Sequence, residues 1–71
     1  MHLKKIENQY FKNYEHYVVA DIIADSKPST LPTTGENIDG LSADDHLAPG
    51  STILTKNNEL VILGDTWGDW L

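Results

Sequence analysis

All three prolines, Pro28, Pro32 and Pro49, and three of the five glycines, Gly35, Gly40 and Gly50, fall between residues 25 and 50. The only sizeable apolar side chains in that stretch are Leu31, Ile38, Leu41 and Leu47. Proline fixes φ and removes a backbone donor, and glycine loses the most freedom on ordering, so no regular element is expected there. An irregular connection of 26 residues is far longer than the usual link inside a compact domain, and it signals function, disorder or docking. Four spaced aliphatics favour docking, because disordered linkers are poorer in such side chains. What remains for regular structure is a short segment on either side. A chain below about 80 residues rarely builds a core worth more than about 3–5 kcal/mol. With 71 residues and no cysteine, disulfides cannot make up the difference, and stabilisation by association with other chains is the expectation.

The formal charge is −6, and it is unevenly spread. Residues 1–17 carry Lys4, Lys5 and Lys12 against Glu7 and Glu15, a balance of +1, which leaves −7 for residues 18–71. Clustered Lys and Arg are missing, which argues against a nucleic-acid partner held through phosphates. No apolar run exceeds the length of Leu60 to Leu63, so neither a membrane span of about 20 residues nor a signal-peptide core is present. A soluble chain without a membrane partner is expected.

Leu3, Ile6, Tyr10, Tyr14 and Val18 recur at intervals of three and four, which predicts a helix over Lys4–Glu15 with a Tyr-rich stripe. An isolated helix of that length is marginal in water, so residues 1–15 read as a helical extension that anchors on a partner. His16–Ala24 is rich in β-branched residues and bounded by Asp25-Ser26-Lys27-Pro28, which predicts a strand. Asp21 within it requires an edge position or one open face. Thr52–Lys56, Asn57-Asn58 and Glu59–Leu63 read as a hairpin closed by a two-residue type I′ turn. That register sets Lys56 opposite Glu59, Leu54 opposite Val61 and Ile53 opposite Ile62. Trp67 and Trp70 then return as a short aromatic segment too apolar to stay free in water. The expected fold is mainly β with a short N-terminal helix (α+β). Residues 16–71 form a small antiparallel sheet with a C-terminal hairpin and the irregular loop 25–50.

Chemical motifs are weak. Leu31-Pro32-Thr33-Thr34-Gly35 matches the pentapeptide that sortases cleave, but no apolar tail and basic tip follow it, and a proline-fixed turn is the better reading. Gly35–Gly40 would fit an EF-hand glycine only by placing Gly35 and His46 where carboxylates are needed. Asp44-Asp45-His46 reads as a solvated acidic turn, and His2, His16 and His46 are too scattered for a zinc set. Ser42 and His46 are close in sequence, but such proximity is common by chance, and so short a chain has little volume for a walled pocket. No catalytic residue, metal ligand or cofactor is assigned, and the chain is not expected to be an enzyme. The stripe Tyr10, Tyr14, Tyr17 with Phe11 is read as packing against a sheet or neighbouring subunit in preference to stacking on sugar or base.

From Val19 onward the order of features is Val19-Ala20-Asp21, Asp25-Ser26-Lys27, Leu31–Gly35, the aspartate-rich Gly40–Asp45, Leu47-Ala48-Pro49-Gly50-Ser51, and a hairpin closing on Gly64 and Trp67. Over about residues 18–70 this resembles small structural proteins and fibre-type domains of phages and prophages of Gram-positive bacteria. The resemblance implies a virion component, a minor head or tail protein such as a decoration, fibre or adaptor subunit. Such a protein is made in the host cytoplasm and acts by assembly with other capsid or tail proteins in symmetric copies. Such proteins often begin close to the first strand, whereas here some 15 residues precede it. The residues expected to meet partners are Tyr10, Tyr14, Ile38, Leu41, Leu47, Trp67 and Trp70. Two other readings stand beside this one. An acidic inhibitor imitating DNA would need carboxylates in a single row. A carbohydrate-contacting adhesin would rest on Trp67, Trp70 or the tyrosines.

Overall fold

The computed structural model describes residues 1–71 as five β-strands without a helix. They are β1 His2–Lys12, β2 Glu15–Ala24, β3 His46–Leu47, β4 Thr52–Thr55 and β5 Leu60–Ile62. One sheet runs in the order β1-β2-β4-β5, with β3 also beside β2. β1–β2 and β4–β5 are antiparallel, whereas β2 runs parallel to both β3 and β4. The fold is therefore all-β with a mixed sheet, and both the N-terminal helix and the purely antiparallel sheet are corrected.

The helix expectation fails for a definite reason. β1 pairs Leu3 with Ile22, Ile6 with Ala20 and Gln9 with Val18, and the register shifts at Lys4 and at Glu7. Each bulge inserts one residue, so side chains on the same face of β1 lie three apart where an unbroken strand would space them by two. The spacing of Leu3 and Ile6 imitates a helical repeat for that reason alone. Tyr10 lies on the opposite face, across from Tyr17, and Tyr14 is in the turn between the strands.

β2 alternates as a half-covered strand should. Val18, Ala20, Ile22 and Ala24 are buried, while Tyr17, Val19, Asp21 and Ile23 lie on the more open face. Asp21 there accepts a 2.8 Å hydrogen bond from the Thr52 hydroxyl. Parallel pairing of β2 with β4 demands a crossover of a dozen or more residues, and the segment between them is that crossover. Its aliphatics dock on this chain's own sheet: Ile38 and Leu47 are buried, and Leu31 and Leu41 pack against the same cluster with Ile53, Val61 and Leu63. Gly35 is buried within it, where a side chain would collide with the Ser42 carbonyl and stand 2.7 Å from Leu41 Cβ. The sortase-like pentapeptide thus ends inside the fold. The stretch 25–50 does contain one short regular element, β3.

The β4–β5 hairpin is offset by one residue from the expected register. Ile53 faces Val61 and Leu54 faces Leu60. Only Asn58 of the two asparagines has positive φ, at 63°, and its N–H bonds to the Thr55 carbonyl at 3.0 Å. The connection is a three-residue loop, Lys56–Asn58, ending in a left-handed residue. The shift puts Val61 in place of Ile62 opposite Ile53 in the core and leaves Ile62 exposed. The expected Lys56–Glu59 pair is replaced by Lys56–Asp25 at 2.9 Å and Lys27–Glu59 at 3.2 Å. The Thr55 hydroxyl donates to Glu59 at 2.8 Å and, with Lys27, holds that carboxyl below the usual glutamate range. A lowered folded-state pKa adds stability that is present above the unfolded value and lost as pH falls through the folded one. Glu59→Gln is therefore expected to cost stability at neutral pH, with the gap from wild type closing in urea titrations as pH falls through and below the ordinary glutamate range.

One side of β2 is shared by β3 and β4, and Ser51 closes the gap between them. Its hydroxyl is fully buried, accepts from Ala20 N–H at 3.1 Å and donates to the Ala48 carbonyl at 2.7 Å. Ala48 N–H in turn bonds to the Val18 carbonyl at 2.7 Å. Removing the hydroxyl strands a buried donor, so Ser51→Ala should lower unfolding stability by about 1–3 kcal/mol. Ser29→Ala, at an exposed position, should change it little; chemical denaturation of the two variants checks this.

Candidate functional site

β1 and the start of β2 form a hairpin arm with a two-residue turn, Asn13-Tyr14, in which both residues have positive φ, 53° and 66°. This is the backbone of a type I′ turn, whose second position favours glycine. Here it carries a fully exposed tyrosine. A bulky residue in the left-handed region is strained, and such strain marks positions where the side chain serves something other than stability. Phe11, which is 75% exposed, lies beside Asn13 and Tyr14 and lines a shallow hollow with them.

Aromatic rings organise the rest of the arm. On the open face Tyr10 stacks on Tyr17 with centroids 5.6 Å apart, and Tyr17 stacks on His46 of β3 at 5.0 Å. On the other face Phe11 packs against His16 at 5.0 Å. The His16 ring bonds to Asp45, which also accepts from Ser42 N–H at 3.1 Å, so the crossover is tied to the arm two residues from its turn. His46 lies 3.8 Å from Glu15. Burial, with the Glu15 carboxylate beside it, raises the Tyr17 phenol above its ordinary pKa. Tyr17 is stacked on both sides within the ladder, whereas the outer face of Tyr10 at the sheet edge and the rings of Phe11 and Tyr14 stay exposed.

The two edges of the sheet differ. β5 is covered by the C-terminal segment, since Gly68 N–H bonds to the Ile62 carbonyl at 3.1 Å and Leu71 N–H to the Leu60 carbonyl at 2.8 Å. The start of β1 is covered by the crossover, through Leu3 N–H to the Asp39 carbonyl at 2.8 Å. Beyond the two bulges, Asn8–Lys12 is regular and unpaired on its outer side. Gln9 N–H is met only by the adjacent Asn8 side chain, at 2.9 Å.

The expected contact residues divide accordingly. Tyr10 and Tyr14 are on the arm. Ile38 and Leu47 are inside the core, and Leu41 packs against it. Trp67 and Trp70 are half-buried against the same cluster; Trp67 Nε1 donates to the Pro32 carbonyl at 2.7 Å, and Lys27 sits 5.7 Å from the Trp70 ring. Phe11 and Ile6 are exposed arm residues absent from the expected set, and the signal for them was the two-strand alternation hidden by the bulges. Asp45 turns to His16 while His46 turns to Tyr17, so the acidic turn does not converge, and no group of three His, Asp or Glu side chains is placed to hold a metal. A cleft of about 430 Å³ beside Met1, His2, Asp25 and Asp39 has a polar lining, with Asp25 held by Lys56.

Compared with protein-family models, curated proteins and solved structures, the chain matches none. Tyr14→Gly should relieve the turn and raise stability by up to about 1–2 kcal/mol, the cost of an L-residue in the left-handed region. Thermal unfolding at fixed protein concentration checks it.

Proposed function

We propose that this chain is a non-catalytic structural component of a phage particle, a minor head or tail protein that assembles with neighbouring virion proteins through the β1–β2 arm. The observation that carries the reading is where the apolar surface lies. Of six large hydrophobic side chains left exposed, four (Ile6, Tyr10, Phe11 and Tyr14) belong to the arm. Exposed aromatics gathered on one projection are the composition of an interface anchor, and the sequence resemblance to phage structural proteins supplies the setting.

The geometry favours this over the rival readings. A DNA mimic needs free carboxylates in a row, but Glu7, Asp25 and Glu59 pair with lysines, Asp45 and Glu15 with histidines, and Asp21 with Thr52. The remaining acids, Glu36, Asp39, Asp44, Asp65 and Asp69, are divided between the crossover and the C-terminal segment. For a sugar platform, Tyr10 and Tyr17 stack on one another and both Trp side chains pack at the margin of the core, which leaves only Phe11 and Tyr14 as freely exposed rings beside a shallow hollow. Mass spectrometry of purified particles should detect the chain, and its absence from them would overturn the proposal. Phe11→Ser or Tyr14→Ser should lower incorporation about tenfold or more, as expected for losing an aromatic anchor worth about 2 kcal/mol, while Ile62→Ser should leave it near wild type.

A further inference from the structure

We infer that the open edge of β1 pairs with β1 of a second copy of this chain, antiparallel about a twofold axis at Tyr10, joining two sheets into one. The inference names a partner for the arm and rests on the reading of that arm as an assembly surface.

The backbone defines where pairing can occur. In a two-residue hairpin the residues flanking the turn, Lys12 and Glu15, exchange both bonds, so Asn8, Tyr10 and Lys12 point theirs towards β2. Gln9 and Phe11 turn their N–H and carbonyl groups outward. The rest of this edge is guarded, by the Asp39 segment at Leu3 and by bulges at Lys4 and Glu7, both devices that keep strands from pairing. Asn8–Lys12 has no such protection, and the opposite edge of the sheet is closed by the chain itself.

The side chains choose the occupant. Centring the pair on Tyr10 sets Gln9 opposite Phe11 of the second copy and Phe11 opposite its Gln9, so every outward group of the regular stretch finds a partner. Centring it on Gln9 or Phe11 satisfies only the central residue within that stretch. Tyr10 then faces the second copy's Tyr10 as a non-hydrogen-bonded pair, the kind in which side chains approach most closely. The Tyr10–Tyr17–His46 ladder, which ends at the sheet edge with Tyr10 38% exposed, continues into the matching ladder of the second copy. Charge agrees: Lys12 falls opposite Asn8, whereas a pair centred on Asn8 would set Lys4 against Lys12. Tyr14 at the tip falls next to Ile6 of the second copy, so the exposed apolar groups of each arm are covered by the other.

Sedimentation equilibrium of the full chain should give twice the chain mass at micromolar to millimolar concentration, and Gln9→Pro should return it to the single mass. Proline at position 9 removes only an outward N–H, so circular dichroism should be retained. Because the chain has no cysteine, Tyr10→Cys should cross-link to a covalent dimer under mild oxidation. Asn8→Cys should not, since the two copies of that residue lie roughly 13 Å apart along the strands. A wild-type chain that stays monomeric, or an Asn8→Cys chain that cross-links as readily as Tyr10→Cys, overturns the pairing. A monomer that still enters particles leaves the virion reading intact, and a dimer absent from particles supports the pairing while removing the virion reading.

Discussion

The Ser51 hydroxyl bonds to Ala20 N–H on β2 and to the Ala48 carbonyl ahead of β4, and the parallel half of the sheet depends on that junction. β2 has one side to offer and two short strands to pair there: β3 meets Tyr17 and Val18, and β4 meets Asp21 to Ala24. Between these registers the ladder would leave the Ala20 N–H facing a gap in a dry interior. A side chain short enough to be buried and able both to donate and to accept fills it. Once β4 is held beside β2, the long connection between them becomes the cover of the core face, carrying Ile38 and Leu47 inward. A segment that looks like a loop in search of a partner is thus the second layer of this small protein.

How much of this was legible depends on which physical signal each segment carried. β2 announced itself through β-branched alternation, because one of its faces is covered and the other is not. The β4–β5 hairpin was visible in its two aliphatic runs, but its register was not. Asn57 and Asn58 both tolerate positive φ, and only the demand that Ile53 and Val61 share the core, with Thr55 and Glu59 bonded beside them, selects a three-residue loop. β1 was misread because bulges at Lys4 and Glu7 lengthen the repeat of its core-facing residues from two to three. Parallel pairing left no local trace at all, since it is decided by contacts distant in sequence.

The same division explains the candidate site. Tyr10 and Tyr14 stood out as aromatics, and Ile38, Leu41 and Leu47 stood out as apolar residues in a polar segment. Composition identifies side chains that must be covered without saying by what. The structure separates those covered by this chain from those left outside. The type I′ turn expected at Asn57-Asn58 occurs at Asn13-Tyr14, where the sequence places a tyrosine in a backbone state that glycine would occupy more easily. Of the two asparagine-bearing turns, that at Lys56–Asn58 puts only an asparagine at positive φ, whereas that at Asn13-Tyr14 puts a tyrosine there, which is the arrangement expected when the second turn is kept for its ring.

The uneven charge also acquires a physical meaning. Two bodies of −7 would repel if they met face to face, and the arm is the only segment whose balance is positive, at +1 for residues 1–17. Joining two copies through β1 puts the paired arms between the bodies. With strands spaced about 4.8 Å, the two β2 strands lie roughly 14 Å apart and the β4 strands farther still. That exceeds the Debye length of about 8 Å at physiological ionic strength, so most of the body-to-body repulsion is screened in this arrangement. Charge therefore leaves the aromatic edge accessible to another arm while opposing closer association between bodies. In that arrangement a short chain with an unguarded edge strand forms a defined pair instead of an open-ended sheet, because pairing uses up the single free edge of each copy.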